Sequence, residues 1–258
     1  MQTRTLGRTH LEVGRLGMAA GYGVPAAAVE RAFERGVNYL YWGSVRRGPF
    51  GQALRNLKPQ RDRMALVLQS YSRMAALVAP SVEMALRKLN FDYADVLLLG
   101  LWNHKPPLRI LEASKRLRER GLVRHIAIST HQRPLVAELN ADPAVGIVHV
   151  RYNAVHKGAE SEVFPLLPAN NAGPGVVAFT ATSWRQLLNP KRVPPGERVP
   201  TATDCYRFVL SNPAVDVCMT GPSNEAQAEE ALRAIDQGPM DAQELAWMRR
   251  VGDYIHKH

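Results

Sequence analysis

Apolar positions along this chain follow two alternating rhythms separated by short polar breaks. The runs at 15–20, 39–42, 64–70, 94–100, 125–130, 146–152, 176–182 and 215–220 are short and several are nearly continuous in apolar character, Val96-Leu97-Leu98-Leu99 being the clearest. Segments of that kind predict parallel strands covered on both faces. Between them, 25–35, 50–57, 75–89, 110–120, 134–139, 161–169, 202–211 and 224–236 carry a helical period. In the last of these Ala228, Leu232 and Ile235 share one face, while Glu225, Glu229, Arg233 and Asp236 lie opposite. Gly36, Gly121 and Gly238 stand just past helical segments, where a left-handed residue closes the final turn.

Eight strand-then-helix units with no shift in composition predict an α/β fold, a single (β/α)8 TIM barrel with residues 1–258 as one domain. Residues 2–13 predict an N-terminal hairpin turning near Gly7-Arg8-Thr9 and plugging the bottom of the barrel. Residues 241–258 predict an extra C-terminal helix, with Asp241 and Glu244 spaced as N-cap and N3. A doubly wound sheet is the alternative, but its first turn needs a glycine-rich phosphate loop and here reads Ala20-Gly21-Tyr22-Gly23-Val24-Pro25. The longest irregular stretch, 183–200, is rich in proline and arginine, and long loops of this kind are often functional.

Composition narrows the function classes. With 258 residues, 46% of them apolar, the chain buries enough surface to need no disulfide staples. Cys205 and Cys218 lie in apolar segments without metal-ligand spacing, so two buried thiols and no metal site are expected. No apolar run reaches the roughly 18 residues of a membrane span, and the N-terminal stretch lacks the apolar core of a signal peptide. The expectation is a cytoplasmic protein with no membrane partner. The net charge of +10 raises the question of nucleic acid, but the charges are scattered. Arg116, Arg118, Arg120 and Arg124 mark a solvated helix face, and no basic block interleaves with aromatics, so nucleic-acid binding is not expected. A basic balance equally suits an anionic ligand such as a phosphorylated cofactor. No pattern specifies an oligomeric state.

In a barrel of this type, chemistry gathers where strands end on the C-terminal face. The eighth unit ends in Gly221-Pro222-Ser223-Asn224 and opens a helix containing Gln227 and Glu230. Backbone N–H groups at such a start form an anion site. A plain cap, with Asn224 as N-cap and Gln227 three residues on, explains the same residues without a ligand. Both readings stand on the residues alone.

The run from Tyr206-Arg207-Phe208 through Gly221-Pro222-Ser223 resembles the C-terminal region of aldo-keto reductases. Gly121-Leu122-Val123-Arg124-His125-Ile126-Ala127-Ile128-Ser129-Thr130-His131 is similar to that family's fifth strand, and Val150-Arg151-Tyr152-Asn153 to its sixth. Gly36-Val37-Asn38, Gly51-Gln52-Ala53-Leu54 and Asp92-Tyr93-Ala94-Asp95 followed by the strand-four apolar run also fit, so the likeness runs in order along nearly the whole chain. The resemblance implies an NADP(H) cofactor and a small-molecule substrate. It places the nicotinamide carboxamide contacts on Ser129 and Thr130, with His149 where the family has Gln, and the ring-stacking aromatic on Phe179. Thr180 follows as a phosphate contact, and Gly221, Ser223, Gln227 and Glu230 form the adenosine-phosphate segment. Gln227 replaces the family's basic clamp for the 2′-phosphate, leaving Arg185, Lys191 and Arg192 in the long loop for that charge.

The family's proton-transfer set is an Asp, a Tyr, a Lys and a His. Here the Asp position reads Tyr41, the Lys position Gln69 and the His position Gly100. The loop that carries Tyr reads Trp42-Gly43-Ser44-Val45-Arg46-Arg47-Gly48, with Gly43 or Arg46 opposite it. The candidate catalytic residues are therefore Tyr41 or His104 as proton donor, Arg46 to orient an anionic substrate, and Gln69 at the mouth. The resulting expectation is an atypical NADP(H)-binding oxidoreductase acting on a small carbonyl or an activated C=C or C=N group. Two alternatives remain: a catalytically degenerate protein that binds cofactor or metabolite, and a non-redox lyase, isomerase or cyclase.

Overall fold

A computed structural model describes residues 3–43, 47–168 and 170–258. Its strands are β1 (Thr3–Thr5), β2 (Glu12–Gly14), β3 (Leu16–Ala19), β4 (Tyr39–Trp42), β5 (Ala65–Ser70), β6 (Ala94–Leu99), β7 (Val123–Thr130), β8 (Val145–Arg151), β9 (Gly175–Phe179) and β10 (Val217–Thr220). The helices are α1 (Ala26–Glu34), α2 (Gly48–Asn56), α3 (Ala75–Leu89), α4 (Leu108–Glu119), α5 (Leu135–Ala141), α6 (Ala159–Glu162), α7 (Ala202–Leu210), α8 (Glu225–Gln237) and α9 (Ala242–Lys257). β3 to β10 close into an eight-stranded barrel in which every neighbouring pair is parallel, and the helices flank it. β1 and β2 form the expected antiparallel hairpin.

The eight units follow the apolar pattern, and their departures from it have local causes. The sixth helix, expected at 161–169, stops at Glu162 and gives way to a single tighter turn over Phe164–Leu166. Pro165 has no N–H to continue the ladder. The seventh strand, expected to reach 182, ends at Phe179 because Thr180 turns into the left-handed region at φ 64°. α9 opens on Asp241, whose carboxylate accepts from the Glu244 N–H at 2.8 Å while Glu244 accepts from the Asp241 N–H at 3.0 Å. Glu244 also holds Arg207 of α7, whose guanidinium donates to the carbonyls of Gly238 and Pro239 as well. One carboxylate thus fixes both the start of α9 and its docking.

Strand alternation sets what fills the barrel. Tyr39, Val67, Val96, Ala127, Ile147, Val177 and Val217 point inward and are buried in one interior cluster. Leu6 and Val13 of the hairpin close that cluster from below. Gly7 makes the plug possible: at φ 48° it approaches β9 so closely that a Cβ would stand 2.1 Å from the Gly175 nitrogen. Two residues further along each strand, Tyr41, Gln69, Leu98, Ser129, His149, Phe179 and Met219 form the top layer, and all seven face an open cavity. No helix among the described residues is long and apolar enough to cross a membrane.

Candidate active site

The cavity occupies about 930 Å³ at the C-terminal ends of the strands. Its floor is the top layer, and its upper walls come from the loop after β3, the long loop after β9, and the start of α8. Ser129, His149, Phe179, Thr180, Gly221, Ser223, Gln227 and Glu230 all line it, as do Tyr41 and Gln69. Those ten candidates, drawn from six of the eight strand ends or the loops beyond them, meet in one space.

Two described candidates do not join them in that role. Thr130 is out of phase: with Ser129 facing the cavity, the next residue of β7 turns away, and Thr130 is 2% exposed. Its hydroxyl instead accepts from the Gln132 N–H at 2.9 Å and shapes the turn. His104 is exposed and outside the cavity, its Nδ1 3.0 Å from the Lys105 carbonyl and its ring edge-on to Trp102. The cause is Trp102, which is buried under Arg73, with its backbone N–H on the Ser129 carbonyl at 2.9 Å, so the chain beyond it runs outward. Arg46 lies outside the described residues.

On the floor, His149 and Tyr39 form a buried pair with Oη and Nε2 2.8 Å apart. Burial pushes the Tyr39 phenol well above its ordinary range and lowers the His149 imidazole to about 3. A neutral imidazole has one acceptor nitrogen and one donor. Tyr39 Oη is fully buried with no other described partner, so the arrangement that satisfies both groups has the phenol donating to Nε2, leaving Nδ1 protonated.

The opposite side of the mouth is packed around two glycines. A Cβ at Gly100 would stand 2.1 Å from Gln69 Nε2 and 2.6 Å from the Tyr71 ring, and one at Gly43 would meet Tyr41 Oη at 2.6 Å. Gln69, Tyr71 and Tyr41 therefore occupy the room that side chains at 43 and 100 would take. Gln69 Oε1 is buried without a partner among the described residues. The Tyr41 phenol is held well above its usual range, first by burial and then by the neighbouring Tyr71.

At the α8 end, the Asn224 side chain accepts from the Gln227 N–H at 2.9 Å, the plain cap. Gln227 Oε1 in turn accepts from the Ser223 N–H at 2.8 Å and from its hydroxyl at 2.9 Å. Both Ser223 donors are thus satisfied from within. Gly221 lies under the Tyr22 ring, where a Cβ would come within 2.3 Å. The Glu230 carboxylate accepts from the Ala202 N–H at 3.0 Å. Arg185 is the single Lys or Arg among the described lining residues, and Glu230 the single carboxylate.

The cavity also gathers residues that were not among the site candidates. Tyr22, His131, Trp184 and Tyr206 line it. His131 was legible, two positions past Ser129 along β7. Tyr206 was not, because a tyrosine on an apolar helix face reads as core. Cys205 and Cys218 are both buried and unpaired.

Comparison with known proteins gives two findings. The family model described as aldo/keto reductase family matches residues 25–193, well over half of the chain. Among solved structures, an aldo-keto reductase from Bacillus halodurans in its holo form aligns with a TM-score of 0.80 and 21% identity, covering 97% of this chain and 96% of that one. The apo form of the same enzyme aligns with a TM-score of 0.77 and 23% identity over 97% and 96%. At such identities these structures speak for the fold.

Proposed function

This chain belongs to the aldo/keto reductase family, and from that membership we propose that it is an NADP(H)-binding oxidoreductase acting on a small carbonyl compound, or a related C=C or C=N group, with rebuilt proton-handling residues. Its family and fold are those of oxidoreductases of the aldo-keto reductase type. The observation that carries the finer reading is the division of the cavity into two sides: Ser129, His149 and Phe179 on one, Tyr41, Gln69 and Tyr71 on the other.

The residues present fit a nicotinamide nucleotide. Phe179 offers a ring face for stacking. The Ser129 hydroxyl and the protonated Nδ1 of His149 are donors suited to a carboxamide oxygen. At the α8 end, Ser223 has two donors for a phosphate oxygen once Gln227 swings aside, and Arg185 carries the charge assigned to a 2′-phosphate. When bound, the nicotinamide supplies hydride to the substrate carbon. Tyr41 Oη then gives its proton to the substrate oxygen as that oxygen takes up charge, and regains one from solvent beside the half-exposed Tyr71. The unpaired Oε1 of Gln69 accepts from a substrate hydroxyl or N–H.

The test is titration with NADPH and NADH, read by quenching of tryptophan fluorescence, since Trp184 lines the cavity. Micromolar NADPH affinity is expected; a Kd weaker than about 1 mM, barely 4 kcal/mol, sinks the reading. Single-turnover loss of NADPH with a panel of carbonyls then gives the rate, which Tyr41→Phe lowers about 10²–10⁴-fold with the NADPH Kd unchanged. A second reading, nucleotide binding without turnover, is favoured by the filling of positions 43 and 100 by Gln69, Tyr41 and Tyr71. Tight NADPH binding with no hydride transfer to any of the panel selects it.

A further inference from the structure

Beside the cavity, where β8 ends, lies a group of basic side chains, Arg151 and three histidines, that forms no ion pair among the described residues. Arg151 is the last residue of β8, and its Cα partner on β9 is Phe179, the ring on the cavity wall. It is half-buried and makes no ion pair or side-chain hydrogen bond with the described residues. Its guanidinium instead sits 5.7 Å from the Trp184 ring centre. His131 packs on Phe179 at 5.5 Å and has a buried Nδ1 without a partner among the described residues. His156 meets the Trp184 ring edge at 5.8 Å and the His256 ring at 6.0 Å.

The carboxylates on the surrounding elements are already engaged elsewhere. Glu160 of α6 is held by Arg249, Glu162 by Arg133, and Asp253 of α9 by Lys157. The elements packed here thus present Arg151, His131, His156 and His256, with Arg133 adding to the positive field. That field acts on three of them. Desolvation and then Arg151 hold His131 below its ordinary range, and His156 falls to about 4 through desolvation, Arg151, His256, Arg133 and His131 in that order. Arg151 itself is lowered by desolvation and by Arg133.

Backbone strain maintains the arrangement. Ser183, Trp184 and Arg185 are three consecutive non-glycine residues in the left-handed region, at φ 50°, 52° and 71°. Such strain concentrates at functional sites. Here it brings the Trp184 indole near both Arg151 and His156. His156 is oriented as well: the Asn153 side-chain amide donates to the Thr180 carbonyl at 2.8 Å, so its oxygen faces His156 Nδ1 at 3.2 Å and receives that N–H. Nε2 is left to take up a proton when an anion arrives.

We propose that Arg151, His131 and His156 form an anion site that holds a phosphate or carboxylate group of the substrate at the Phe179 edge of the cavity. The substrate class is then an anionic carbonyl compound rather than a neutral one. The site needs no nucleotide to be tested, so its failure and that of the cofactor reading are separable.

The experiment is NMR titration of the histidine side chains from pH 4 to 8 at matched ionic strength, with and without inorganic phosphate, on the full chain. Phosphate is expected to raise the His156 and His131 titrations, because a bound anion compensates the field that depresses them. Arg151→Gln should weaken phosphate binding tenfold or more, and Arg151→Lys should restore part of it, with far-UV circular dichroism and thermal unfolding showing that both variants fold. NADPH added to saturation should leave phosphate binding in place. Histidine curves indifferent to phosphate, or phosphate binding undiminished in Arg151→Gln, overturn the site. Displacement of phosphate by NADPH overturns its assignment to the substrate.

Discussion

At position 149 an imidazole stands in the barrel interior with a phenol as its partner, and burial alone decides its protonation. Its pKa is lowered to about 3, so it is neutral across the physiological range. The linkage follows directly. In the unfolded chain a histidine binds its proton below about 6.5, whereas folded His149 does not, so the unfolded state takes up more protons as pH falls from about 6.5 toward 3. His149 therefore makes the fold progressively less stable across that window. His156, lowered to about 4, adds to the same slope. Urea unfolding of wild type and His149→Gln at pH 7, 5.5 and 4.5 should show a smaller loss of stability on acidification in the variant. An unchanged slope means the imidazole titrates near its ordinary value, and the neutral donor assigned to the carboxamide goes with it.

At the scale of the element, β5 and β6 are tied by a charge that the apolar run around it conceals. Asp95 of β6 is 1% exposed; its carboxylate accepts from the Leu66 N–H of β5 at 2.8 Å and pairs with Arg61 at 2.8 Å and Arg124 at 3.4 Å. The two guanidiniums lie 4.1 and 4.2 Å from the Tyr93 ring centre. Asp95→Ala leaves a buried N–H without an acceptor and Arg61 without its counter-charge, at a cost of about 3–5 kcal/mol. Asp95→Asn keeps an acceptor and should lose less. Equal losses in urea unfolding would show that the charge itself contributes nothing. The strands were legible because a parallel strand is apolar on both faces, whatever an occasional buried charge does. α6 was not, since the period of 161–169 carries no mark of how far Pro165 reaches. In the site, residues fixed by strand phase were legible: Ser129, His149 and Phe179 share the cavity face of neighbouring strands. Thr130 falls outside the cavity because adjacency in sequence is opposition in a strand, and His104 because a loop's direction depends on the burial of Trp102, a tertiary fact. Arg151 was quoted within a matching run, yet a lone arginine at a strand end reads as solvated until the missing carboxylate is seen.

Across the whole molecule, the two ends of the barrel do different work. The mouth holds Gln69 Oε1, His131 Nδ1 and Ser183 Oγ, buried without partners among the described residues, and the left-handed run Ser183–Arg185, whereas the bottom is sealed by the hairpin and its buried Leu6 and Val13. Barrels of this architecture separate chemistry at the C-terminal face from stability at the N-terminal one. Gly7 tests whether that separation holds here. A Cβ there would clash with the Gly175 nitrogen at 2.1 Å and occupy a backbone angle of φ 48° that side chains rarely adopt. The strain is worth about 1–3 kcal/mol before any rearrangement. In a chain of this size each kcal/mol moves the Tm by about 2–4 °C. Gly7→Ala should therefore melt several degrees below wild type while its NADPH affinity and its phosphate binding stay within twofold, because the interior layer from Tyr39 to Val217 stands between plug and cavity. A parallel loss of ligand affinity would mean that the top layer depends on the plug through that packed interior, and that the barrel transmits strain along its axis instead of isolating its mouth.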